Sequence, residues 1–256
     1  MRILITGYKG FIGQNMVNAL KNEHDLELYD LGDELPSFAH ISQVIHLGAI
    51  ADTSCRDVDK IMTHNYDFTR MLYERCLRDY VNIQFASTAS VYGKSTEFTE
   101  TSKLEPLNPY AYSKYLCERL LMKPQDRIKV QIFRYFNVYG PGEDHKEHQA
   151  SPYNKFEKQA RETGVIKLFK GSENYHRDFI HVNDIITVHK KFLNFRDKGI
   201  WNLGTGKTKT FMEIAEMVAK KYKAKIEIIP MPKDLENSYQ SFTKADITKL
   251  MKTLKQ

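Results

Sequence analysis

The chain has 256 residues, 41% of them hydrophobic and 27% charged, with a net charge of +6. That length buries a substantial core in one large domain or a domain with a smaller appendage. The composition excludes low-complexity and repeat architectures, and no apolar run is long enough to span a membrane. No leader segment is expected ahead of the first apolar run. The lysines are dispersed rather than striped, and no nucleic-acid motif accompanies them, so the charge points to anionic small molecules rather than nucleic acid. Three cysteines, Cys55, Cys76 and Cys117, have no metal-like spacing. They predict a reducing cytoplasm and no metal site.

The first element is the apolar run Ile3-Leu4-Ile5-Thr6, read as a buried strand. Gly7, Gly10 and Gly13 follow, with a helix starting at about Phe11 and continuing over 14–22. In that strand–turn–helix context the spacing predicts a dinucleotide site. The first glycine allows the tight turn, the second lets backbone approach a pyrophosphate, and the third allows close helix–strand packing. Free amides at the helix start would hold the phosphates.

Strands are predicted over 25–30 and 42–47, the second followed by Gly48-Ala49. Only 13 residues separate Asp30 from Val44, too few for the helix, strand and helix that usually fit there. One strand, the outermost in this order, is therefore expected to be missing, with the crevice intact. Asp30 ends its strand where an acid bonds a ribose 2′-hydroxyl and repels a 2′-phosphate. Leu31-Gly32-Asp33-Glu34 holds no Arg or Lys. NAD is expected over NADP.

A long helix is predicted over about 57–79 and a strand over 83–87. The next helix has Asn108 as N-cap and Pro109 at its first position. A strand follows over 129–133. This alternation predicts a doubly wound parallel α/β sheet of Rossmann type, lacking one edge strand. Beyond Gly140-Pro141-Gly142, helices near 152–163 and 211–221 and strands near 165–169 and 225–229 predict a smaller C-terminal substrate-binding lobe. The expected division is 1–140 with returning segments near 178–205 for the dinucleotide domain, and 141–177 with 206–256 for the lobe.

Tyr110 and Lys114 form the single Tyr-x-x-x-Lys among 15 tyrosines and share one helix face. Ser87 and Thr88 end the preceding strand, where ligands bind in such sheets. A phenol near pKa 10 is a poor base at neutrality, and an adjacent ammonium would lower that pKa. With Thr88 donating to the same oxygen, the set can take a proton from a substrate alcohol while hydride leaves its carbon. Gly206-Lys207-Thr208 imitates the end of a phosphate loop, but Trp201 occupies the position of its first glycine.

These motifs resemble the extended short-chain dehydrogenase/reductase superfamily, in its nucleotide-sugar epimerase branch. The resemblance spans nearly the whole chain, through Arg134-Tyr135-Phe136-Asn137-Val138-Tyr139-Gly140-Pro141, His145-Lys146, 168–174, Arg177-Asp178-Phe179, 202–206 and 239–246. The second-half stretches are similar to the ADP-glycero-manno-heptose 6-epimerases. The resemblance implies Thr88, Tyr110, Lys114 and Lys146 as catalytic, with Thr88 standing where a serine is common. His145 and His148 are alternative proton carriers to Lys146. It implies a tightly bound, recycled NAD (NADP remains open) held by Gly7, Gly10, Phe11, Ile12, Gly13, Asp30, Leu31, Leu47, Gly48, Ala49, Asn65, Lys114 and Val138. Substrate contacts are implied for Ser87, Asn137, His148, Phe169, Lys170, Gly171, Ser172, Arg177 and Tyr239. Arg177 would bind phosphate, or else pair structurally with a carboxylate. A family histidine corresponds to Lys155.

The expected activity is redox-neutral epimerisation through a keto intermediate. The alternatives are a related 4-epimerase or reductase, or a non-catalytic dinucleotide sensor. A 4,6-dehydratase is disfavoured, because Ala89-Ser90 stands where those enzymes resemble Asp-Glu. The expected partners are a nucleotide sugar and further copies of the chain. The helices near 57–79 and from Tyr110 would pair across the interface, through Met62, Tyr66, Met71, Leu72 and Leu116.

Overall fold

The structure is a computed structural model that describes residues 1–231 and 242–255, without the side chains of His145, Glu147 and His148. Its centre is a parallel sheet of six strands: β1 (Arg2–Thr6), β2 (Asp25–Tyr29), β3 (Gln43–His46), β4 (Asn82–Thr88), β5 (Val130–Tyr135) and β10 (Gly199–Leu203). The spatial order is β10-β5-β4-β3-β1-β2. Thus β2 is an edge strand, as the short 31–43 connection requires. β1, β3, β4 and β5 are almost wholly buried, whereas β2 is half-exposed along its length. Strands covered on both faces read as continuous apolar runs, which is why Ile3-Leu4-Ile5 was legible.

Helices cover both faces. Ile3, Ile5 and Ile45 pack on α1 (Phe11–Leu20) and α6 (Val182–Asn194), through Met16, Leu20, Ile186 and Leu193. On the other face Leu4, Val44, Ile83 and Phe85 pack on α3 (Phe68–Asp79) and α4 (Pro109–Leu121), through Leu72, Tyr73, Cys76, Cys117 and Leu121. Each fully buried side chain of this size contributes about 1.5–3 kcal/mol relative to exposure. No helix among the described residues is long and apolar enough to cross a membrane.

Two departures from the sequence expectation concern the helix at 57–79. Asp57 caps α2 (Val58–Ile61) by accepting the Lys60 N–H at 3.0 Å, but the helix is not uniform. Met62–Asp67 form a π-helical stretch before α3 begins. Asn65 within it and Thr69 one turn on both face inward, at 2% and 1% exposure. Leu72, expected at an interface, is fully buried in the core instead.

After β6 (Asn137–Tyr139) the chain builds α5 (Pro152–Thr163), β7 (Val165–Phe169), β8 (His176–Arg177) and β9 (Phe179–His181). Then come α6 and β10, followed by β11 (Lys209–Thr210), α7 (Phe211–Tyr222), β12 (Lys225–Ile229), β13 (Phe242–Thr243) and α8 (Thr248–Thr253). β7 and β12 pair in parallel under α5 and α7, enclosing Phe156, Ile166, Leu168, Phe211 and Ile214. A capping box, Thr210 with Glu213, starts α7. Trp201, 1% exposed, donates its indole N–H to Thr253 at 3.0 Å and ties α8 to the sheet.

Candidate active site

The glycine turn lies at the carboxyl end of β1. Gly7 has a φ of +74°, and a Cβ there would come within 2.5 Å of the Gly48 nitrogen. A Cβ on Gly13 would collide with the Gly7 carbonyl. Gly10 differs, because a Cβ on it would meet only the Gly7 carbonyl oxygen, at an ordinary 3.4 Å. Backbone packing therefore accounts for Gly7 and Gly13, while the bare Gly10 leaves room for a ligand. Gly10 is also the N-cap of α1 and supplies no capping side chain, so the first amides of the helix suit an anion. Asp30 stands beside this turn, accepting N–H bonds from Lys9 at 2.9 Å and Leu31 at 2.8 Å. These residues fit a dinucleotide: a backbone cradle for a pyrophosphate and a carboxylate for a ribose hydroxyl.

The other cofactor candidates form the walls. Phe11 is buried, Ile12, Leu47 and Val138 are half-buried against the core, Gly48 abuts Gly7, and Leu31 is 64% exposed. Ala49 follows Gly48, half-buried, in the loop after β3. Asn65 spends its side chain differently from a direct ligand contact. It accepts the Ile50 N–H at 2.8 Å and donates to the Ile50 carbonyl at 3.1 Å and to Ser113 Oγ at 3.0 Å. It braces the wall loop against α4. His46 continues this network, bonded to Thr6 Oγ1 at 2.6 Å and Thr69 Oγ1 at 2.8 Å. Burial drops its pKa to about 3, so it stays neutral.

Thr88 ends β4 and Tyr110 opens α4, so both face the same carboxyl edge as the glycine turn. Asn108 caps α4 as expected, accepting the Ala111 N–H at 2.8 Å. Thr88 Oγ1 donates to Ser90 Oγ at 3.1 Å. Burial pushes the Tyr110 phenol up to about 12, opposed by its hydrogen bond with Thr88. This reverses the expectation that Lys114 lowers it. Lys114 is 3% exposed, and its amine donates to the Ala86 carbonyl at 2.7 Å and lies 4.5 Å from the Phe85 ring centre. Burial lowers its own pKa to about 8, leaving burial to dominate the phenol.

Ser87 is not exposed to the crevice as a substrate contact would be. It is 3% exposed and donates to Glu118 at 2.5 Å, behind the strand end. Glu118 pairs with Arg134 through two bonds, at 3.0 and 2.7 Å, and both side chains are essentially buried. Burial works against the Arg134 charge, but the bonds to Glu118 outweigh it and raise its pKa.

Lys146 lies in the short helical segment Asp144–Gln149, its amine 5.2 Å from the centre of the Phe11 ring at the start of α1. Burial lowers its pKa, with Glu143 opposing. The His148 side chain and all of Tyr239 fall outside the described residues. Asn137 donates to the Asp178 carbonyl at 2.9 Å, and Arg177 donates to the His176 carbonyl at 3.0 Å beside the Phe211 ring. The turn after β7 is held by Ser172 Oγ donating to the Phe169 carbonyl at 2.6 Å, with Gly171 at a φ of +88° and Lys170 exposed. Phe169 and Ser172 line a cavity of about 310 Å³ together with Lys155, Phe156, Gln159 and Phe211. Sequence reasoning did not place Phe156, Gln159 or Phe211 there. They lie on α5 and at the start of α7, and only tertiary packing brings them together. Lys155, at the position of the family histidine, also has its pKa lowered by burial. The loop resembling a phosphate loop serves Asp178, which accepts N–H bonds from Thr205 at 2.8 Å and Gly206 at 2.9 Å.

The profile of the NAD dependent epimerase/dehydratase family matches residues 3–204. An ADP-L-glycero-D-manno-heptose-6-epimerase of Brachyspira hyodysenteriae is 38% identical, covering 97% of this chain and 90% of its own. Among solved structures, the UDP-glucose 4-epimerase of Thermus thermophilus in complex with NAD is similar with a TM-score of 0.85 and 27% identity, covering 98% of this chain and 92% of that one. The Helicobacter pylori ADP-L-glycero-D-manno-heptose-6-epimerase shares the fold, with a TM-score of 0.87 at 24% identity over 99% of this chain and 90% of that one.

Proposed function

The chain belongs to the NAD dependent epimerase/dehydratase family, and from that premise we propose that it epimerises a nucleotide-activated sugar through a transient ketone, with C6 of an ADP-glycero-manno-heptose as the inverted centre. The observation that carries this reading is Thr88 and Tyr110, bonded to each other at the carboxyl edge that also holds the glycine turn. The 38% identical relative supports the heptose substrate.

NAD held by the glycine turn and Asp30 would supply the hydride acceptor and donor. As hydride leaves, Tyr110 in its phenolate form takes the carbinol proton and the resulting phenol returns it when the ketone is reduced, while the Thr88 hydroxyl turns from Ser90 to donate to that oxygen. Inverting a carbinol requires hydride on both faces of the ketone, so its oxygen must be served from two directions. Lys146 serves the second. Its partial desolvation makes the amine a usable acid/base closer to neutrality. Arg177 and the Phe169–Ser172 turn hold the nucleotide end, beside the cavity lined by Lys155. Holding both reacting groups in one crevice supplies much of the acceleration. We assign 1–140 with 178–205 to the dinucleotide domain, supported by β10 in the main sheet. The lobe comprises 141–177 and 206–256, supported by the cluster under α5 and α7.

The test is incubation with ADP-heptose epimers, with C6 configuration read by NMR and UDP-glucose as the control for a 4-epimerase. Interconversion at C6 is expected. Turnover of UDP-glucose alone would favour the 4-epimerase reading, and no turnover of any nucleotide sugar would favour a dinucleotide sensor. In the same assay Lys146→Met should abolish interconversion while nucleotide stays bound. Near-normal turnover would show that Tyr110 serves both directions alone.

The proposed setting is the cytoplasm, supported by free thiols, two of them buried in the core. A homo-oligomer is supported by apolar side chains on the outer side of α4 and the start of α2: Tyr112 at 49%, Met122 at 44% and Val58 at 52% exposure. Light scattering should give a mass above 29.9 kDa. A monomer at working concentration would remove this proposal.

A further inference from the structure

The fold brings to the end of β2 a lysine that the 31–34 segment itself lacks. Lys9 lies in the glycine turn, and its N–H bond to Asp30 Oδ2 fixes its backbone beside that carboxylate. Its ammonium bonds Asp33 Oδ1 at 2.8 Å, 24 residues along the chain. The other oxygen of Asp33 accepts the Asp30 N–H at 2.9 Å, so Asp33 is itself clamped. Lys9, Asp30 and Asp33 thus close a ring of bonds at the end of β2. The hydrogen bond between Lys9 and Asp33 raises the pKa of the first and lowers that of the second, keeping both charged.

We propose that Asp33 selects NAD over NADP in this protein by sequestering the ammonium of Lys9, which would otherwise bind a ribose 2′-phosphate. The inference rests on the reading of this crevice as the dinucleotide site. A ribose 2′-hydroxyl needs only an acceptor, and each Asp30 oxygen retains a lone pair after its backbone bond. A 2′-phosphate needs cations, and here it meets Asp30 and Asp33 with Lys9 already paired. The Lys9 and Asp33 side chains are 53% and 31% exposed, and ion pairs at such exposure are weak. The lysine therefore changes partner easily once the competing carboxylate is gone.

The experiment uses the full chain, stripped of resident nucleotide and titrated with NAD and with NADP in a calorimeter. Wild type should bind NAD more tightly. Asp33→Asn should tighten NADP about fivefold, the upper end for an exposed ion pair, while NAD binding stays nearly constant and reports that the site is intact. Asp33→Ser should behave alike. Adding Lys9→Ala to Asp33→Asn should erase the gain, and raising salt should shrink it. No gain in Asp33→Asn and Asp33→Ser, an equal gain without Lys9, or tighter NADP than NAD in wild type would each overturn the proposal. Failure of wild type to bind either nucleotide would overturn the underlying site reading instead.

Discussion

Replacing Tyr110 with Phe is expected to lower the epimerisation rate by about 10³-fold, within the range of a lost acid/base group, while nucleotide remains bound. Tyr110 bonds Thr88 through the hydroxyl that the substitution removes, and the ring it leaves keeps its packing. Lys114→Ala should weaken both turnover and nucleotide binding, because it empties a buried site between Ala86 and Phe85 on the crevice wall. The two groups also set a pH dependence. The Lys114 ammonium is intact below about 8 and is lost as pH rises through that value, whereas Tyr110 holds its proton up to about 12. The wild-type kcat/KM should therefore stop rising above pH 8, where loss of the ammonium offsets the growing phenolate fraction, and the residual activity of Lys114→Met should keep rising through that range. A wild-type profile still rising between pH 8 and 10 would show that the lysine charge plays no part.

The parts of this site that were legible in the sequence are those whose function needs a fixed local spacing. The glycine turn, the Asn108-Pro109 cap and the Tyr110–Lys114 pair each lie within a few residues of chain, so periodicity and stereochemistry suffice. α5 and β7 lie where the sequence places them, near 152–163 and 165–169, and the structure adds a capping Ser151 and a closing Gly164. The π-helical stretch was not legible, because the residues facing inward there, Asn65 and Thr69, are polar and carry no hydrophobic period. The direction of the Tyr110 shift was also hidden. Spacing alone puts an ammonium beside the phenol, but the fold turns that ammonium to a carbonyl of β4. The surroundings of Ser87 and Lys9 depend on Glu118 and Asp33, 31 and 24 residues away, and no local rule reports such a pairing.

Breaking the Glu118–Arg134 pair should be the most damaging single change to stability. Both side chains are 2–3% exposed, and the contact is bidentate, so each charge is solvated mainly by the other. Arg134 also donates to the Tyr92 hydroxyl at 2.9 Å, and Tyr92 donates to Asn202 at 2.6 Å. The pair thus ties α4 to β5 and, through Asn202, to β10. Glu118→Ala leaves the guanidinium without its counter-charge and takes the acceptor from Ser87. The expected cost is about 3–5 kcal/mol, typical of a buried ion pair that loses one partner. Replacing both, as Glu118→Leu with Arg134→Met, should cost much less, because no buried charge remains. Glu118 lies one turn beyond Lys114, and Ser87 immediately precedes Thr88, so the pair also sets how Tyr110 and Thr88 meet. The double variant should therefore recover stability in urea denaturation but not full turnover. Single variants within about 1 kcal/mol of wild type, the range of an exposed pair, would show that water reaches the pair. A double variant with full turnover would show that the catalytic helix holds its position without it.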